Sequence, residues 1–316
     1  MISHLDDPLS ILIRRKIEDY SEYAYKKNGR SHLVRKLGSI LCKEAEILIR
    51  RAKLDPPFDP LKIKRGRLKF ELISDAKRNA HIPTRGGFRI EIKHKRTRNL
   101  DDLDFRARAT IAHEMAHTFF YDINSLPPKP IGVVSSKKSQ WELESICYRI
   151  GRTILMPSFS ISRLLTQSPK IRKGSLHKIG LLMNRYKVSS DIVAWRMIKD
   201  LELWSSCFVK NRVKGEGSDI KFTRIPIPLK NSSAKELSLI KLNRIIYREH
   251  HLYPHLLRAV ASPKSIVRDT LNINGASFDL ESRVVAVNTI ATLISVEGSH
   301  RGQRQMTLEK FEATQS

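Results

Sequence analysis

The chain has 316 residues, 41% of them hydrophobic and 28% charged. That is enough apolar material for a buried core, and it excludes collagen-like, low-complexity and wholly disordered proteins. Lys and Arg number 58 against 32 Asp and Glu, a formal charge of +26, so polyanions and acidic partners are attracted, whether as bound DNA or RNA or only as neighbours of a basic surface.

In chain order, Leu9, Ile13, Ile17, Tyr20 and Ala24, then Leu33, Leu37, Ile40, Leu41, Ala45, Ile47 and Leu48, recur at helical spacing and predict two helices within 1–54. Pro56, Pro57 and Pro60 end that stretch. Strands are predicted at Phe70–Ile73 and Phe88–Lys93, the second after a Gly86-Gly87 turn. Asp101 or Asp102 caps an expected helix over 103–121, and a loop with Pro127, Pro128 and Pro130 leads to another over 139–155 that stops at Met156-Pro157. Residues 158–204 read as helical and basic. Two apolar clusters there, Leu176, Ile179, Leu182 and Met183, then Ile192, Val193, Trp195, Met197 and Ile198, flank Tyr186–Ser190, the outline of a helix-turn-helix or of an ordinary helical hairpin. Residues 205–230, with Gly215–Ser218 and Pro226 and Pro228, read as a linker or irregular edge strands. A helix is expected over 232–248 and strands near 278–280 and 284–287. Ile290–Val296 is apolar but ambiguous in type, and the last fifteen or so residues are polar and frayed.

No apolar run reaches the roughly 18 residues of a membrane span, and the start MISHLDDPLS lacks the pattern of a signal peptide. Cys42, Cys147 and Cys207 are far apart and odd in number, which argues against a disulfide framework and for a reducing cytoplasm.

The segment Thr110–Phe119 contains His113-Glu114-Met115-Ala116-His117. On a helix, positions i and i+4 share one face, so two imidazoles there can bind one metal ion, while Glu114 projects beside the metal as a general base for its bound water. From Ala109 to Phe120 the only other charge-bearing type is His, as a buried active-site helix requires and a solvated surface helix does not. A catalytic zinc site wants a third protein ligand and an open fourth position. The next helix offers Glu142 and Glu144. Glu144 shares a face with Cys147, Tyr148, Gly151 and Leu155; Glu142, two residues earlier, does not, so Glu144 is the expected ligand. Two His and one carboxylate suit Zn²⁺, with Mn²⁺ or Fe²⁺ as alternatives; a facial-triad oxygenase is the minor reading, since its ligands normally sit on strands.

AHEMAHTFFYD followed by WELESICYRIGRTILMPS resembles the ImmA/IrrE family of metallo-endopeptidases. In that family the second helix reads roughly Glu-x-x-Ala-Asn-x-Phe-Ala-x-x-Leu-Leu-Met-Pro. Ile154-Leu155-Met156-Pro157 matches its end and Glu144 its third ligand, whereas Cys147-Tyr148 and Ile150-Gly151 replace Ala-Asn and Phe-Ala. The resemblance covers about residues 30–205. It implies an α+β fold with a mainly helical zincin-like core and small sheet over 1–157, a helix-turn-helix-like segment over 158–205, and an α+β domain over 206–316 that is GAF-like and sensory in the longer members. It also implies His113, His117 and Glu144 as zinc ligands, Glu114 as catalytic base, and a helix-turn-helix repressor as protein substrate, cut in a stress response or in mobile-element control. Tyr148, Tyr121 and His94 are candidate oxyanion donors. Asp122 and Asp101 are candidate partners for the outer imidazole nitrogens. The rival reading is a DNA-binding regulator whose metal site is structural or lost, and a third is a ligand sensor built on the C-terminal part.

Overall fold

The computed structural model describes residues 7–17, 22–93, 104–134, 136–168, 174–215, 220–231, 234–240 and 242–296, with the side chains of 22–28 and 226–229 left aside. The fold is α+β. The described residues divide into two compact units, one of 1–163 with 184–189 and one of 164–183 with 190–316. Of the 158–205 segment, residues 158–163 and 184–189 fall in the first and the rest in the second.

The first unit opens with helices α1 (Pro8–Lys16) and α2 (Glu22–Arg51), the predicted pair. Asp7 caps α1, accepting from the Ser10 N–H, and Arg30 ties Asp7 to Glu142 through ion pairs of 2.8 Å each. A three-stranded sheet follows in the order β1 (Lys69–Ile73), β3 (Gly87–Glu91), β2 (Ala80–Thr84). β1 and β3 are parallel, and β2 is an antiparallel edge strand absent from the sequence expectation. Helix α3 (Phe105–His117) begins at Asp104, whose carboxylate accepts from the Ala107 N–H; Asp101 and Asp102, the expected caps, lie outside the described residues. Its last turn tightens over Thr118–Phe120 and passes into the short hairpin β4 (Tyr121–Asp122) and β5 (Lys129–Pro130). Helix α4 (Lys137–Leu155) is capped by Ser136 and packs against both α2 and α3. The core joins Leu37, Leu41 and Ile49 of α2 to Ile111 and Met115 of α3, Ile150 and Ile154 of α4, and Phe88 and Ile90 of β3, all buried.

Two arginines, Arg108 buried and Arg65 half-buried, tie α3 in place. Arg108 donates to the Phe58 carbonyl at 2.7 Å and to that of Lys187 at 3.2 Å. Arg65 donates to the Thr118 carbonyl at the helix C-terminus and lies 4.5 Å from the Phe119 ring centre. Burial lowers its pKa to about 10, which still leaves a cation at the negative end of the helix dipole.

The division between the units runs through α5 (Ser158–Gln167) and α6 (Leu176–Tyr186). After the turn comes α7, only Ser190–Ala194, continued as a π-helical stretch over Trp195–Asp200. Val193, Ala194, Met197 and Ile198 are fully buried and Arg196 is 3% exposed. A base-reading helix needs its polar side chains in a groove; this one turns its centre inward.

The second unit holds a six-stranded antiparallel sheet in the order β8 (Ile245–Ile246), β7 (Lys221–Lys230), β6 (Ser206–Lys214), β11 (Thr289–Val296), β10 (Ala276–Ala286), β9 (Val267–Ile273). The region expected as linker or edge is therefore two long strands, and the ambiguous 290–296 run is a buried central strand. The helix expected over 232–248 is instead a 3₁₀ turn at Lys235–Leu239 and the short β8. The helix of this region, α8 (Tyr253–Ala261), starts later, with Pro254 in its first turn. Leu252, Leu256 and Ala259 meet Phe222, Phe278, Leu280, Ile290 and Ile294 in one apolar cluster. Cys42, Cys147 and Cys207 are all buried free thiols. Among the described residues no helix is long and apolar enough to cross a membrane.

Candidate metal centre

One close contact between helices builds the site. A Cβ placed on Gly151 would lie 3.2 Å from the backbone nitrogen of His113, so the absence of a side chain lets α4 ride against α3 at the first histidine. Glu144 lies seven residues earlier, two turns along the same face of α4, and comes level with the imidazoles. His113 and His117 are one turn apart on α3, and their Nε2 atoms approach to 3.2 Å. Glu144 Oε2 is 3.1 Å from His113 Nε2, and Oε1 is 3.6 Å from His117 Nε2. Glu142 faces elsewhere, held by Arg30.

These distances test whether a cation fits. Metal–ligand bonds of about 2.0–2.1 Å set the edges of a coordination tetrahedron at roughly 3.3–3.4 Å. His113 Nε2 lies 3.2 Å from His117 Nε2 and 3.1 Å from one Glu144 oxygen, both close to that value, while the other Glu144 oxygen is 3.6 Å from His117 Nε2. With a cation between them, both Nε2 lone pairs would point inward at one ion in place of the contact the two nitrogens make here. Hydrogen bonds from His113 and then His117 hold the Glu144 carboxyl well below the ordinary carboxylate range, so it is an anion ready to ligate. The residues present fit Zn²⁺, and their N₂O donor set also admits Mn²⁺. His113, His117 and Glu144 would hold the ion.

Glu114, the residue between the ligands, is buried and turned to the other side of His117. There it meets His81 of β2, a residue the sequence reading did not single out: His81 Nδ1 lies 2.9 Å from Glu114 Oε2. The His81 ring stacks on that of His117, with centres 4.5 Å apart and planes within 8°, and its edge contacts Tyr121. His81 has no signal in helical periodicity. The only hint is a histidine in a short mixed run, Ala80-His81-Ile82-Pro83-Thr84, shortly before a predicted strand.

Tyr148 follows Glu144 by one turn. Its ring centre is 4.1 Å from that of His113, and its side chain is 57% exposed. Partial burial, then the charges of Glu144 and Glu114, raise its pKa, so the phenol keeps its proton. Burial raises the Tyr121 phenol as well. Cys147 is completely buried, and burial with the same two carboxylates pushes its thiol far up, leaving it neutral. Asp122, an expected partner for an outer imidazole nitrogen, instead accepts from the Asn124 N–H at 3.0 Å on the surface. His113 Nδ1 is buried without a hydrogen-bond partner among the described residues. Asp101 and His94 lie outside the described residues.

No protein-family model matches the chain, and no curated protein matches it. Among solved structures, a Mycobacterium tuberculosis transcriptional regulator is similar to it with a TM-score of 0.45 and 14% identity, over 81% of this chain and 88% of that one.

Proposed function

We propose that the chain is a zinc-dependent endopeptidase of the ImmA/IrrE kind, with a zincin-like first unit. The observation that carries this is the convergence of His113, His117 and Glu144 beside a buried glutamate, Glu114, that is not itself needed to hold the ion. Bound zinc would supply Lewis acidity and a water acidic enough to ionise near pH 7. Glu114 takes a proton from the attacking water and returns it to the leaving nitrogen. His81 fixes the plane of that carboxylate by engaging one oxygen, so that the other serves the water. Tyr148, protonated and next to His113, donates to the oxygen on which negative charge develops.

The resemblance of the two helices points to a helix-turn-helix repressor as the protein substrate, and cleavage would relieve repression. The direct test incubates the zinc-loaded protein with the repressor encoded beside its gene. Defined fragments from the wild type and an intact repressor with Glu114→Gln are the expected pair of results. Equal cleavage by both would remove Glu114 from the mechanism.

A DNA-binding regulator is the second reading, favoured by the charge of +26. With the centre of α7 and its π-helical continuation buried, any duplex contact would fall to the surface charge, not to that helix.

A further inference from the structure

Beyond the first cation position, the described residues hold a second group of donors. His81, Glu114 and His117 each place one ligand atom within 4.8 Å of the others'. The closest pair, His81 Nδ1 and Glu114 Oε2, is 2.9 Å apart. Two ligands at about 2.0–2.1 Å from one ion, subtending 90–110°, are roughly 2.9–3.4 Å apart. The separation therefore lets a divalent cation sit between this nitrogen and oxygen with little movement of either side chain. The His81 ring is held against the His117 ring by stacking, so its nitrogen is already aimed. His81 and Glu114 keep some solvent access, with 21% and 10% of their side chains exposed, so an ion can enter.

We propose that His81 and Glu114 form a second, weaker divalent-cation position beside the His113–His117–Glu144 centre, and that zinc bound there switches the hydrolase off. The proposal rests on the reading of Glu114 as the base. A cation on Glu114 occupies the carboxylate that must accept the water's proton. Only two of the donors, His81 and Glu114, are free of the first ion, and fewer protein ligands mean lower affinity. The first position therefore fills first, and the second fills only when zinc is in excess.

The test is a calorimetric titration of Zn²⁺ into the full chain stripped of metal, with circular dichroism to check each variant's fold. The wild type is expected to show two steps, the second weaker. His81→Ala is expected to lose the second step and keep the first within about tenfold, the lower end of the usual effect of a residue next to a ligand. Glu114→Gln, which keeps the shape of the side chain, is expected to do the same and decides the matter if His81→Ala does not fold. A single step in the wild type, or a second step unchanged in both variants, overturns the proposal; the latter places the extra zinc at other surface groups. Loss of the first step in Glu144→Ala tests the primary centre separately. If that step survives, the metalloenzyme reading fails, whatever His81 does.

Discussion

At the scale of single residues, the proposed function divides the labour of holding an ion and moving a proton between Glu114 and its neighbours, and substitution separates the two. Glu114→Gln should keep about one zinc per chain and lose on the order of 10²–10⁴-fold in hydrolysis, the usual share of a general base. His117→Ala should lose zinc, measured by elemental analysis of the purified protein, and activity with it. A histidine in the second unit makes a different kind of prediction. His255 of α8 is 1% exposed, with neither ring nitrogen hydrogen-bonded among the described residues. Burial lowers its pKa from 6.5 to about 4 against the opposing charge of Asp269, whose carboxylate is 3.7 Å away and also pairs with Arg258. The unfolded chain then binds this proton more readily than the folded one. The stability from keeping His255 neutral is whole above pH 6.5 and is lost as pH falls towards 4, up to ~3 kcal/mol. Denaturant unfolding at pH 7 and pH 5 checks it: His255→Leu should unfold with a smaller loss between the two than the wild type.

At the scale of elements, the convergence of His113, His117 and Glu144 depends on how closely α3 and α4 approach. Gly151→Val would push a branched side chain into the His113 backbone. It should cost about 1–3 kcal/mol as overpacking does and weaken zinc binding, because it moves Glu144 away from the imidazoles; chelator competition measures the second effect. Helices α3 and α4 were legible because each carries an uninterrupted apolar face and a capping residue near its start. Strand β2 was not. Pro83 argues against a strand, yet an edge strand tolerates a proline, since one side of its ladder is left unpaired in the three-stranded sheet. The hairpin between β9 and β10 had a readable mark, Asn274-Gly275, both with positive φ (48° and 78°) as a tight two-residue turn requires. The helix expected over 232–248 failed because apolar residues at helical spacing also fit a 3₁₀ turn and a short strand that cover one sheet face, and tertiary packing chose the latter.

At the scale of the whole molecule, the charge of +26 is expected to act as a summed field, with the centre of α7 buried. Duplex DNA should therefore bind weakly, without preference for sequence, and release steeply with salt, about 10³-fold between 50 and 200 mM if roughly six phosphates are engaged. Filter or anisotropy titrations across salt measure the slope. His113→Ala should leave it unchanged, since the metal centre and the basic surface are separate features. A salt-resistant, sequence-selective complex would instead favour the regulator reading.

From the chain alone came the chemical inventory: two imidazoles one helical turn apart, a carboxylate between them, and Glu144 over Glu142 as the next acid, because helical periodicity assigns residues to faces without any tertiary knowledge. Only the folded chain decided that an edge strand delivers His81 to Glu114, that Gly151 sets the depth at which α4 meets α3, and that the stretch after residue 205, open between linker and irregular edge strands, forms two long strands of a six-stranded sheet. Those facts depend on contacts between residues far apart in sequence, whose spacing along the chain carries no record of their meeting in space.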